Sequence, residues 1–215
     1  MLSVPRTTPK PALIWEMGGI KIKLRIIQQK LIFLNHILHL DPQSLAYQVQ
    51  KVQESEDLPG LTNECRVYIE ELGLPNCLLE DFPQQKWKNL VKKAILQKNE
   101  SDLREAMKTK KKLKDRKISH DNYGMKSYVS NLNIHETRNI FKHRSAMTQN
   151  VKLNYKGVKQ YELQGWKCNE CGNLDSEDHL LWCDGYMDLR ESLNLGTDKD
   201  LSEYLQKIQI KRMKE

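Results

Sequence analysis

The sequence has little of what a secreted or membrane protein needs. Five cysteines in 215 residues is an odd count, and it argues against an exported disulfide scaffold. The longest apolar run, Leu31 to Leu40 (LIFLNHILHL), is about half the ~20 residues of a bilayer span, and it contains Asn35, His36 and His39. The first ten residues, MLSVPRTTPK, hold two prolines and no apolar stretch of the signal-peptide kind. There is no internal repeat, and few segments alternate as strands do. A P-loop, G-x-S-x-G, H-E-x-x-H and any adjacent aspartate pair are all missing. The expectation is an intracellular protein, nuclear or cytoplasmic, with no membrane association and no small-molecule substrate. It is not expected to be an enzyme. In such a compartment cysteines serve as thiols or metal ligands.

What is present is charge, unevenly spread. The net charge is +7, the isoelectric point is near 9.0 and the mean hydropathy is -0.70. Residues 1–40 are net +5, 41–85 net -7, 86–117 net +9, 118–167 net +5 and 168–215 net -5. A basic centre between acidic segments suits a polyanion. The densest cations are Lys108, Lys110, Lys111, Lys112, Lys114, Arg116 and Lys117, with Arg138, Lys142 and Arg144 further on. These are the candidate phosphate contacts for RNA or DNA. A solvated helix face or a nuclear localisation patch is the alternative reading of the lysine run. The acidic segments suit a basic protein partner.

Apolar spacing predicts a mainly α fold. Pro5, Pro9 and Pro11 predict an extended or turn-like start. Ile20, Leu24, Ile27, Leu31, Leu34 and Leu38 mark a helix from about Gly19 to Leu40, which Asp41-Pro42 ends. Further helices are expected over 43–54, over 62–72 (capped by Thr62, stopped by Gly73), from Leu78 to Lys98 with a bend or start near Pro83, over Ser101 to Lys117 capped by Ser101, and over 135–147. Asp198 and Asp200 are expected caps of a last helix striped by Leu201, Tyr204, Leu205, Ile208 and Met213. The predicted organisation is a helical body over 1–147, a connector over 148–167, a small metal module over 168–191 and an amphipathic helix over 192–215.

The module carries the sharpest chemistry. Cys168 and Cys171 are separated by two residues, and Gly172 permits a tight turn after them. His179 and Cys183 are four apart, hence on one face of a helix that Asp175 or Ser176 can cap. Three sulfurs and one nitrogen make a closed tetrahedral set for a structural Zn2+, with no position left for water. Trp166 and Trp182 flank it, and Tyr186 follows. Exposed aromatics there can stack on unpaired bases, so Trp166 is a candidate contact. Trp182 is read as part of the module's small core. Cys65 and Cys77, with no histidine nearby, are read as structural thiols, and His36 and His39 as packed or partly exposed.

Three stretches resemble the C-terminal region of non-LTR (LINE-type, jockey-like) retrotransposon reverse transcriptases. They are VPRTTPKPALIWEMGGIKIKLRIIQQKLIFLNHIL at 4–38, MTQNVKLNYKG at 147–157 and CNECGNLDSEDHLLWCDGYMDLRE at 168–191. The first has an L-x-x-E-x-G turn before a thumb-like helical region. The last has a Cys-Cys-His-Cys knuckle and a Tyr-x-x-Leu-Arg step at Tyr186, Leu189 and Arg190. The resemblance implies a helical thumb-like body followed by a zinc knuckle, touching template RNA or target DNA. It implies zinc on Cys168, Cys171, His179 and Cys183. The family's Tyr-x-Asp-Asp polymerase motif is missing, so the expected product is a truncated, non-catalytic fragment whose palm would precede Met1. The basic residues named above are a charge-based choice, not one the family supplies.

Overall fold

The computed structural model describes residues 9–56, 58–78, 80–109, 122–145, 168, 170–173 and 177–214. Among them the chain is mainly helical, with one isolated antiparallel bridge, Met17 to Met125, and no strand. The helices are α1 (Lys10–Glu16), α2 (Ile22–Leu38), α3 (Leu45–Ser55), α4 (Leu61–Glu71), α5 (Gln84–Lys108), α6 (Ser127–Asn131), α7 (Ile134–Arg144), α8 (Glu177–Trp182), α9 (Met187–Leu193) and α10 (Asp198–Lys214). No described helix is long and apolar enough to cross a membrane. The chain divides into two compact units, one of residues 20–104 and one of 1–19 with 105–215.

In the first unit, α2 buries Leu24, Ile27, Leu31 and Leu34, the stripe its three- and four-residue spacing predicts. Trp87, Val91 and Ile95 of α5 meet it, with Cys65 and Ile69 of α4. Two polar contacts fix the packing. The Trp87 indole Nε1 donates to the Leu31 carbonyl at 2.8 Å, and Asn35 Nδ2 donates to the Phe82 carbonyl at 3.1 Å. Gly73 ends α4 as predicted, at φ 60°. The Leu74 N–H reaches the Ile69 carbonyl and the Gly73 N–H reaches that of Glu70, a Schellman closure. Thr62 is not the cap expected. It lies inside α4, fully buried, and its hydroxyl accepts from Gln50 Nε2.

The two helices expected on either side of Ser101 are one. α5 runs unbroken through it, because the buried positions Trp87, Val91, Ile95, Asn99, Leu103 and Met107 continue at four-residue steps. Each step overshoots a full turn by about 40°, so the buried line winds round the helix. Asn99 sits in that line at 0% exposure because its Oδ1 accepts the Lys21 N–H at 3.1 Å, at the start of α2.

In the second unit the stretch around Pro9 and Pro11 is helical from Lys10, not extended or turn-like, while Pro5 lies outside the described residues. Pro9 is the N-cap of α1 and Pro11 lies in its first turn, where a missing N–H has no intrahelical partner to lose. Glu16 at the end of α1 is fully buried. Arg144 of α7 holds it with two bonds, Nε at 3.0 Å and a terminal nitrogen at 3.1 Å, and the Tyr128 hydroxyl also donates to it. Gly18, at φ 62°, allows the backbone to pass Met125, whose nitrogen would lie 2.6 Å from any Cβ placed there. The α7 cap is Asn133, with Glu136 answering it in a capping box. α10 lies against α7, where Ser202 Oγ donates to the Glu136 carbonyl at 3.3 Å. Its cap is Thr197, reciprocated by Asp200. Asp198, expected as a cap, instead accepts from Ser127 Oγ at 3.1 Å.

Candidate metal centre and basic surfaces

The four ligand candidates converge. The donor atoms of Cys168, Cys171, His179 and Cys183 all lie within 4.8 Å of one another. The local sequence explains why. Gly172, at φ 73°, lets its N–H return to the Cys168 carbonyl at 2.8 Å, and the Cys168 N–H reaches the Asn173 carbonyl at 2.7 Å. That turn aims two sulfurs one way. α8 then presents His179, with Cys183 one turn later at its end. Cys168 Sγ is 3.6 Å from Cys183 Sγ, and Cys171 Sγ is 3.3 Å from His179 Nε2. The cluster can hold a metal ion. The helix-capping role expected of Asp175 or Ser176 lies outside the described residues.

The cluster's electrostatics favour a cation. Burial pushes the Cys168 thiol up, but bonding to His179 and backbone N–H groups outweighs it and brings the thiol down to about 7. Burial and the neighbouring sulfurs push Cys183 up to about 12. Sulfurs this close cannot all ionise without a positive charge among them.

α10 holds the module from outside. Cys168, Leu180, Cys183 and Tyr186 form an apolar cluster with Tyr204 and Ile208. The Tyr204 hydroxyl donates to the Leu180 carbonyl at 2.6 Å. Lys211 Nζ reaches Glu170 at 2.9 Å and the Gly185 carbonyl at 3.3 Å, and stands 5.2 Å from the Tyr186 ring centre. Gly185 is required, since a Cβ there would lie 2.2 Å from that of Glu170. Arg190 donates to the Cys183 carbonyl at 2.6 Å.

One aromatic assignment reverses. Trp182 is 76% exposed, and Tyr186, at 1%, takes the buried place. The core was expected to need Trp182. Tyr204 and Ile208, arriving from twenty-odd residues downstream, fill it instead. Trp182 flanks an open groove of ≈600 Å³, a feature the sequence reading missed.

The cations fall into three groups. Lys110, Lys111, Lys112, Lys114, Arg116, Lys117 and Trp166 lie outside the described residues, and Lys108 is exposed at the end of α5. Arg144 is committed to Glu16 and is not offered to a phosphate. Arg138 and Lys142, one turn apart on α7, are half-buried with no carboxylate partner among the described residues. Arg138 Nε is buried with no acceptor. Burial, and then the Arg138 charge, lower the Lys142 ammonium below its ordinary value. Cys65 and Cys77 are buried, as expected of structural thiols, and burial pushes them up to about 12 and about 11.

No protein-family model, curated protein or solved structure matches the chain.

Proposed function

We propose that the chain is a non-catalytic, zinc-stabilised nucleic-acid-binding protein akin to the C-terminal region of the reverse transcriptases its sequence resembles. The ion is Zn2+ on Cys168, Cys171, His179 and Cys183. Tetrahedral bonds of about 2.3 Å to sulfur and about 2.0 Å to nitrogen place S···S neighbours about 3.8 Å apart and S···N neighbours about 3.6 Å apart. The separations of 3.6 Å and 3.3 Å approach these edges. Four protein donors leave no position for a reacting water, so the ion's role is structural.

The observation that carries nucleic-acid binding is the Arg138–Lys142 pair. Two neighbouring cations, partly desolvated and without a carboxylate among the described residues, repel each other. An ordinary solvated lysine face does not arrange this. A phosphate between them relieves the repulsion and supplies the acceptor. The block over 86–117, net +9, adds long-range attraction.

The test is RNA and single-stranded DNA binding by the metal-loaded chain across a salt series. Affinity should fall steeply with salt. Arg138→Gln/Lys142→Gln should weaken it and flatten the log–log slope by about 1.5. Charge reversal at Lys110, Lys111 and Lys112 should weaken it further. Absent or salt-insensitive binding would overturn the proposal.

A further inference from the structure

We infer that the groove beside Trp182 is a docking site for a basic peptide segment that presents a large apolar side chain between lysines or arginines. The groove belongs wholly to the metal-bearing unit. Leu181, Leu195 and Leu201 line it together with the Trp182 indole, and Glu191 and Asp198 stand at it with exposed carboxylates. The arrangement is an apolar trough with acidic margins.

Three observations choose the occupant. First, Trp182 is the most exposed large apolar side chain among the described residues of its unit, at 76%, and its backbone is fixed by its place in the chain. It ends the helix that carries His179 and precedes the ligand Cys183. An exposed indole offers a large apolar area, and with only two rotatable bonds it is ordered at small cost. Second, the groove's own lining is negative, with two carboxylates against one cation. Residues 168–215 are net -5, and the groove's one cation, Arg190, is bonded to the Cys183 carbonyl. A phosphodiester strand would be repelled here, whereas lysine and arginine are attracted. Third, a ring beside carboxylates suits a cation over its face. An unpaired base could use the ring but gains nothing from the carboxylates. This site is therefore separate from the Arg138–Lys142 pair, and the two can fail independently.

The experiment uses the whole metal-loaded chain and a fluorescein-labelled peptide of leucine and lysine. A leucine–glutamate peptide and oligo(U) RNA serve as comparison probes. The basic peptide should bind and the acidic one should not. Trp182→Ala and Glu191→Lys should each weaken it at least about tenfold, and Trp182→Phe should restore part of the loss. Both positions are exposed, and a retained metal stoichiometry checks that each variant is folded. RNA affinity should be unchanged in Trp182→Ala. Equal peptide binding by the parent chain and the variants, or no peptide binding, would overturn the inference. Weakened RNA binding with unchanged peptide binding would overturn it in favour of base stacking.

Discussion

At the scale of single residues, the buried Glu16 decides how the amino-terminal stretch is anchored. Its carboxylate has 0% side-chain exposure and is held by Arg144 and Tyr128, 128 and 112 residues away. A buried pair of this kind is costly to form, and losing one partner is costlier, because the other charge stays buried alone. Arg144→Met, which leaves the Glu16 carboxylate buried without its cation, should therefore lower unfolding stability by about 3–5 kcal/mol, Glu16→Leu by less because Arg144 keeps 26% of its side-chain surface in water, and Glu16→Leu/Arg144→Met by much less than the two single changes together. Urea unfolding of the four proteins measures this. Additive losses would mean that the pair is not coupled. Nothing in the sequence announces the pair. Arg144 lies in a basic segment and reads as a phosphate contact, and only folding brings it to the one acidic residue among the first forty. The Cys/His cluster is the opposite case. Its spacing is local, so Cys168, Cys171, His179 and Cys183 were legible residue by residue, and Gly172 with them.

At the scale of elements, legibility follows the same rule. α2, α4 and α7 have local periodicity and local end signals, and the structure places them within a few residues of expectation. Two departures have physical causes. Pro9 and Pro11 suggest extended chain, but proline is harmless in a first turn, and burial of Ala12 and Trp15 gives α1 a reason to form. Ser101 resembles a cap, but a cap needs the chain to leave the helix before it. Here the buried four-residue line holds the chain helical on both sides. Asn99 looks like a break in that line and is in fact a joint. Its side chain accepts the Lys21 N–H that α2 leaves unsatisfied at its start. Asn99→Ala should destabilise by about 1–3 kcal/mol, since it leaves that half-buried donor without its partner as well as opening a small gap. Exposed-site controls such as Lys93→Ala should change stability by no more than about 0.5 kcal/mol. Equal effects in the two variants, read from urea midpoints, would show that the joint contributes nothing.

At the scale of the whole molecule, the sequence suggests a long helical body followed by a small module, and contacts divide the chain differently. Residues 20–104 have a core of their own, built on Leu31, Leu34, Trp87 and Ile95. The metal-bearing unit has smaller clusters, one of which includes the ligands Cys168 and Cys183 themselves. In the second unit, then, an ion held by the Cys/His cluster would not be a support separate from the apolar packing. Removing the ion leaves sulfurs that cannot all stay ionised side by side, and the cluster around Tyr186, Tyr204 and Ile208 is built on two of them. The first unit has no such dependence. A strong chelator should therefore raise amide hydrogen exchange across 177–214 by orders of magnitude while 22–38 and 84–98 keep their protection. Cys171→Ser should reproduce the effect without chelator. Mass spectrometry of the exchanged peptides separates the outcomes. Unchanged protection in 177–214 would mean that the ion is not structural, and parallel loss in both regions would mean that the chain unfolds as one cooperative body. The expected result would place the metal in control of one unit alone. Regulated metal loading would then switch whatever that unit binds and leave the other core intact.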